Sequence, residues 1–213
     1  MSANLFSAEL DGFYPFLSEV AQMRRRARRL IEQALGAATE HSTAHPTVLQ
    51  LLNEALTTEL VCVSRYRNHS MLAGGALAES VRAEFLKYAQ EEQGHAEQLA
   101  KRILQLGGEP NLQAPVASSA PAASPADEIE AEALADLLEE DLIAERIAIE
   151  SYREIVQFVG ASDTRTRQLL EAILAVEITH AQELAAMRSE MLRRDRLGGT
   201  TSTTLPRLEL QCA

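Results

Sequence analysis

Six residues of this chain have types and spacings that suit a metal centre: Glu59, Glu92, His95, Glu145, Glu177 and His180. They fall into a pattern that occurs twice. Glu59-Leu-Val-Cys-Val-Ser-Arg-Tyr66-Arg67 precedes Glu92-Gln-Gly-His95, and Glu145-Arg-Ile-Ala-Ile-Glu-Ser-Tyr152-Arg153 precedes Glu177-Ile-Thr-His180. The lone Glu leads the Glu of the Glu-x-x-His by 33 residues in the first copy and 32 in the second. In a helix, a three-residue step puts Glu and His on one face about a turn apart. Each copy therefore offers two carboxylates and one imidazole to a common interior. Four buried carboxylates repel one another and lose their hydration, so they call for a compensating cation. Oxygen and nitrogen donors without thiolate suit iron or manganese and accept zinc. Two metals, each with one terminal Glu, one His and a share of two bridging carboxylates, account for all six.

The elements that position these residues follow from the spacing. About 33 residues is the length of a helical hairpin, so two copies predict two hairpins and an all-α four-helix bundle. Abundant Ala, Leu and Glu, few aromatics and no Trp fit helices rather than sheets. The first bundle helix is expected from Pro46 or Thr47 to Ala73, with Leu49, Leu52, Leu56, Glu59, Val63, Tyr66 and Ser70 facing inward. The second, Ser80 to Leu106, turns Phe85, Tyr88, Glu92, His95, Leu99, Ile103 and Leu106 inward. The third opens at Ser124-Pro125 and presents Leu134, Leu138, Asp141, Glu145, Ile149, Tyr152 and Val156, ending at Gly160. The fourth starts at Ser162-Asp163 with Leu169, Ile173, Glu177, His180, Leu184 and Met187 facing in. Gly107 to Ser124 reaches roughly 60 Å when extended, whereas a 27-residue helix is about 40 Å long. This linker can cross the whole bundle; the short turns near Gly74 and Gly160 join antiparallel neighbours.

Three segments are expected: an N-terminal extension over 1–45, the bundle over 46–196 and a Gly/Thr/Ser-rich tail over 197–213. The extension holds a helix from Ser18 to about Leu35 with Arg24, Arg25, Arg26, Arg28 and Arg29, offset by five acids within residues 1–40. It reads as a solvated face or an inter-subunit arm. His41 and His45 lie four apart beside a break expected at Pro46, which argues against a shared metal. A net charge of -11 disfavours nucleic acid as a partner and favours cation collection. The cysteines Cys62 and Cys212 make no disulfide framework, no apolar run is long enough to span a bilayer, and no signal-peptide pattern is visible, so a cytoplasmic location is expected.

Several residues keep two readings. Glu92 rather than Glu91 shares the His95 stripe. Tyr66 and Tyr152, each seven residues after a ligand Glu, are candidate catalytic residues that supply an electron, or core residues whose hydroxyls hydrogen-bond a ligand. Asp141 is expected to hydrogen-bond a ligand from one turn away. Cys62 is a buried inert thiol or a redox group beside the site.

Leu52-Asn53-x-x-Leu56-x-x-Glu59-Leu60-Val61 with Tyr66, then Arg102-Ile103-Leu104-x-Leu106-x-Gly108-x-Pro110-Asn111-Leu112-Gln113, and Asp141-Leu142-x-x-Glu145 resemble bacterioferritin. The resemblance covers about residues 47–192. It implies a ferritin-like antiparallel four-helix bundle with a long crossover between helices 2 and 3, here with an extra N-terminal helix. It also implies a ferroxidase centre at Glu59, Glu92, His95, Glu145, Glu177 and His180 that takes two Fe ions per subunit, oxidises Fe(II) with O2 or H2O2 and stores Fe(III) in a hollow homo-oligomer. The chain departs from the family in places. Gln93 occupies the position of the haem-ligating Met, so haem is not expected. Lys87 and Glu91 align with the His and acid of the family's inner-surface iron site. The N-terminal extension, the longer crossover and the absence of a clear fifth helix resemble Dps-like proteins, which favours a 12-mer over a 24-mer. The competing readings are a Dps-like protein that consumes peroxide and a di-metal oxygenase or manganese catalase without storage. A rubrerythrin is disfavoured because no Cys-x-x-Cys is present.

Overall fold

The computed structural model describes residues 15–37, 44–74, 78–113 and 131–198, and every regular element among them is a helix. Helix α1 spans Pro15–Ala37, α2 Ala44–Leu72, α3 Glu79–Gln105, α4 Ala131–Val159 and α5 Thr164–Gly198. Helix α2 begins two residues before Pro46 rather than breaking there, because a proline in the first turn lacks only an N–H that has no partner anyway. His41, the Ser124-Pro125 start expected for α4 and the tail after Gly198 lie outside the described residues. The side chain of His45 does too. Helix α5 runs on to Gly198, two residues beyond the expected boundary.

The α3 end is a complete glycine cap. Gly107 adopts φ +77, Gly107 N–H donates to the Leu104 carbonyl at 3.0 Å, and Gly108 N–H donates to the Ile103 carbonyl at 2.9 Å. Past this cap the chain is tied back to α2. Asn53 donates from Nδ2 to the Glu109 carbonyl at 3.2 Å and accepts from Asn111 N–H at 2.7 Å. At the start of α5, Asp163 accepts from Thr166 N–H at 3.0 Å as the N-cap. Arg102 reaches across from α3 to the same aspartate at 2.8 Å and to the Thr166 hydroxyl at 2.7 Å.

Side-chain pairs set the helix directions. Tyr66 meets Glu145 and Tyr152 meets Glu59, so α2 and α4 are antiparallel neighbours. Lys87 meets Glu183 and Arg102 meets Asp163, so α3 and α5 are antiparallel neighbours too. With α2–α3 and α4–α5 as hairpins, α3 and α4 must run parallel. Only a connection that crosses the bundle can join them, which is the topology the linker length predicts.

Two apolar layers fill the interior. One holds Leu51, Leu52, Leu56, Leu99, Ile103, Ile155, Leu170 and Ile173. The other holds Phe85, Tyr88, Leu134, Leu138, Leu184 and Met191. Each fully buried aliphatic side chain contributes about 1.5–3 kcal/mol, enough to sandwich a polar layer between them. Helix α1 packs on α2 and α4 through buried Val20, Met23 and Ala27. Its arginines pair with the bundle: Arg24 with Glu154 at 3.2 Å, Arg28 with the same carboxylate, and Arg26 with Glu54 at 3.8 Å. The arginine-bearing helix is thus docked on its own subunit through an apolar face, a contact the sequence reading of it as a solvated face or inter-subunit arm does not include.

Candidate metal centre

The polar layer lies where the four bundle helices bring their midpoints together. Glu59 comes from α2, Glu92 and His95 from α3, Glu145 from α4, and Glu177 and His180 from α5; all six are buried. They form two overlapping groups, Glu59–Glu92–His95–Glu177 and Glu92–Glu145–Glu177–His180. Within each group the candidate ligand atoms lie within 4.8 Å of one another. Glu92 and Glu177 belong to both, and their two oxygens divide between them. His95 Nδ1 is 3.4 Å from Glu92 Oε2 and 3.0 Å from Glu177 Oε1. His180 Nδ1 is 3.2 Å from Glu92 Oε1 and 3.5 Å from Glu177 Oε2. Glu59 and Glu145 close the two ends, 3.2 Å from His95 Nδ1 and 4.0 Å from His180 Nδ1.

The donor set fits two cations. Glu92 Oε1, Glu177 Oε1 and His180 Nδ1 are buried and make no hydrogen bond despite their closeness, so their lone pairs converge on shared space. Buried polar atoms left in that state are rare and need an explanation. Four carboxylates balance the charge of two divalent ions. His180 Nε2 lies 2.8 Å from Glu91. With Nε2–H donating to that carboxylate, Nδ1 presents its lone pair to the centre. Of the adjacent pair, Glu92 belongs to both candidate groups, whereas half-buried Glu91 bonds His180 from outside.

The tyrosines cross between copies. Tyr66 of the first copy donates its hydroxyl to Glu145 of the second, and Tyr152 donates to Glu59. Each ties down a buried carboxylate of a candidate group on the facing helix. Asp141 departs from the expectation that it bonds a ligand. Both its oxygens are taken by α2: Arg65 Nε donates at 2.5 Å and His69 Nδ1 lies at 2.8 Å. Arg65 also reaches Glu140 at 3.0 Å. This buried network is absent from the other copy, whose equivalent positions are Ala55, Ser151 and Ile155. A sequence comparison of the two copies would have exposed Arg65 and His69 as the odd pair. Cys62 is buried, and burial first, then the surrounding carboxylates, push its thiol well up, so it stays neutral. Gln93 is half-buried and donates to Glu97 at 3.2 Å.

Without cations the layer holds protons. Burial and the neighbouring Glu177 push Glu92 and Glu145 well above the usual carboxylate range. Burial lowers His95, but the adjoining carboxylates Glu177, Glu59 and Glu92 outweigh it and bring the imidazolium up to about 12. The same opposition brings His180 up to about 9. Burial raises Glu177, yet the adjoining imidazoles of His180 and His95 prevail and bring it down to about 2.

An antiparallel bundle with a crossover, carrying two linked carboxylate–histidine groups in its polar layer, defines the dinuclear carboxylate class of four-helix proteins. A ferritin-like domain family model matches residues 49–193, and the chain belongs to the ferritin-like family. It is 33% identical to a bacterioferritin of Mycobacterium tuberculosis over 158 residues, 72% of this chain and 89% of that protein. It is 44% identical to the Mycobacterium avium bacterioferritin over 72 residues, 32% of this chain and 43% of that protein. The chain therefore spans under half the length of this second relative. A DNA protection during starvation protein of Pyrococcus furiosus is 34% identical over 164 residues, 74% of this chain and 82% of that protein. Among solved structures, a dodecameric thioferritin, the bacterioferritin-related protein of Bacteroides fragilis, is 28% identical with a TM-score of 0.61, covering 75% of this chain and 92% of that one.

Proposed function

We propose that the protein is a ferroxidase that binds two Fe(II) per subunit at Glu59, Glu92, His95, Glu145, Glu177 and His180, oxidises them and sequesters the Fe(III). The observation that carries this reading is the division of Glu92 and Glu177 between the two groups, each oxygen aimed at a different one. Hard carboxylate donors hold Fe(II) and also tolerate Fe(III). With hydrogen peroxide, two Fe(II) give up one electron each, the O–O bond breaks and two protons complete two waters. Tyr66 and Tyr152 hold the terminal carboxylates in place, and their phenols are positioned to supply a further electron. Anaerobic loading with Fe(II), then rapid mixing with O2 or peroxide, tests this. Two Fe(II) per subunit and fast oxidation are expected; weaker stoichiometry or oxidation no faster than free Fe(II) overturns it.

The pKa directions add a sign to metal binding. Imidazoles and carboxylates that hold protons at neutral pH must release them to bind cations, so affinity falls as pH falls and metal binding acidifies the solution. Titrating the metal-free protein with Mn(II) in two buffers of different ionisation enthalpy counts the protons; release of none is incompatible with the site.

Storage needs an enclosed cavity, and closed symmetry is the usual way to make one. The dodecameric Bacteroides fragilis relative supports a shell of twelve subunits over one of twenty-four. Light scattering on the size-exclusion peak distinguishes them, and a stable monomer or dimer that never mineralises removes storage. Among the described residues no helix is long and apolar enough to cross a membrane, and we place the protein in the cytoplasm. The Pyrococcus furiosus relative supports a second reading in which peroxide consumption is the main task and storage incidental. A markedly faster reaction with peroxide than with O2 selects it. With Gln93 in place of a thioether, protein from haem-replete cells is expected to show no Soret band; a stoichiometric band with bis-Met ligation contradicts this.

A further inference from the structure

The proposed reaction requires a route by which cations reach a buried layer. On the α2/α4 side that route is blocked. Met23 and Ala27 of α1 are buried against the seam near Glu59, and Thr58 donates to Met23 Sδ at 3.2 Å. Toward the other end Arg65, His69 and Asp141 fill the seam with buried, mutually bonded polar groups. The α3/α5 side differs. A cleft of about 370 Å³ there is lined by Lys87, Glu91, Thr179, Glu183 and His180. His180 itself is only 1% exposed, so the cleft reaches a member of the second metal group at its Nε2 edge, where Glu91 bonds it.

A lysine lies across this cleft. Lys87 Nζ is 3.2 Å from Glu84 and 3.3 Å from Glu183. It also lies 5.2 Å from the centre of the Tyr88 ring, whose hydroxyl donates to Glu183 at 2.8 Å. One tethered ammonium is therefore paired with Glu84 and Glu183 and shares the cleft lining with Glu91, on the carboxylates that an approaching cation would meet.

We propose that this cleft is the port through which Fe(II) reaches the metal centre, and that Lys87 is its built-in competitor, a tethered monovalent cation seated on the carboxylates that an entering ion must use. The proposal rests on the ferroxidase reading above. Its chemistry follows from charge. Exposed Lys–Glu pairs are weak, and the Lys87 side chain is 46% exposed, so a divalent ion displaces the ammonium at little cost. A monovalent ion gains no such advantage. The flexible four-carbon stem lets the ammonium swing aside without moving the helix. The lysine thereby sets arrival rate and favours divalent over monovalent ions, while the capacity of the centre is set elsewhere.

The test uses the intact, assembled, metal-free protein and Co(II), whose visible absorption reports binding without oxidation. Stopped-flow mixing at low ionic strength compares wild type with Lys87→Ala, Lys87→Glu and Lys87→Arg. Removing a positive charge from the mouth strengthens steering of a dication. Arrival is expected about 3- to 10-fold faster in Lys87→Ala, faster still in Lys87→Glu, and within twofold of wild type in Lys87→Arg. The gain should shrink at physiological salt as screening sets in, and every variant should end at two Co(II) per subunit. Unchanged or slower arrival in both Lys87→Ala and Lys87→Glu overturns the port. An acceleration in Lys87→Arg as large as in Lys87→Ala assigns the effect to bulk and overturns the competitor role. Wild type that fails to bind two Co(II) overturns the ferroxidase reading itself and this inference with it. Two bound Co(II) with rates indifferent to Lys87 overturn only this inference.

Discussion

Glu92→Leu is expected to abolish fast Fe(II) oxidation while making the metal-free protein more stable. The two effects have one cause. Glu92 is 1% exposed and supplies an oxygen to each metal group, so its loss breaks both at once. Loss of mere outer partners of a metal ligand typically costs 10- to 100-fold; loss of a shared ligand should exceed about 100-fold. Without metal, the same carboxylate is a liability, since burial and Glu177 work against its ionisation. Held protonated, it still buries a polar group at a desolvation cost that an apolar side chain of similar volume avoids, so the metal-free variant is expected to be the more stable. Stopped-flow oxidation and thermal melts with and without Mn(II) check both arms. Wild type should gain stability from metal and the variant should not. His180→Ala should likewise remove fast oxidation with the helical content intact, and wild-type rates in both variants would remove these residues from the site.

The largest loss of stability is expected from Asp141→Ala. Asp141 is buried and accepts from Arg65 while pairing with His69, itself buried. Burial raises its carboxyl, but His69 and Arg65 prevail and hold it below the usual range, so the group is an anion paired with Arg65 and bonded to His69. Removing it takes away the acceptor of Arg65 Nε inside a buried seam, while Arg65 Nη2 keeps Glu140 at 3.0 Å. Breaking a buried pair from one side costs about 3–5 kcal/mol, a large share of a typical domain's stability. The double variant Arg65→Met, Asp141→Leu removes both charges and should recover most of that loss. Denaturant unfolding of the three proteins measures the coupling. A single-variant loss under about 1 kcal/mol would show that the network is solvated rather than buried. Because none of these residues is a proposed ligand, two-metal stoichiometry should survive in the double variant.

What could be read from the sequence was what depends on spacing along one helix. Glu92 and His95 share a face because three residues nearly complete a turn, and Glu177 and His180 repeat the arrangement. The apolar residues at three- and four-residue steps name the interior face, and a linker longer than the helix it must cross selects the topology. Those regularities are local, so they survive without coordinates. What tertiary structure alone decided concerns which helices face each other and at what height. Tyr66 lies two turns after Glu59 in the chain, yet it serves Glu145, because α2 and α4 run antiparallel and the tyrosine of one lies level with the glutamate of the other. Asp141 meets Arg65 and His69 for the same reason. Helix α1 carries arginines that look solvated in one dimension, but its Val20, Met23 and Ala27 face dock on a seam that exists only once α2 and α4 are side by side. Periodicity specifies a face; the residue that meets it is set by packing direction, and packing direction is a property of the assembled bundle.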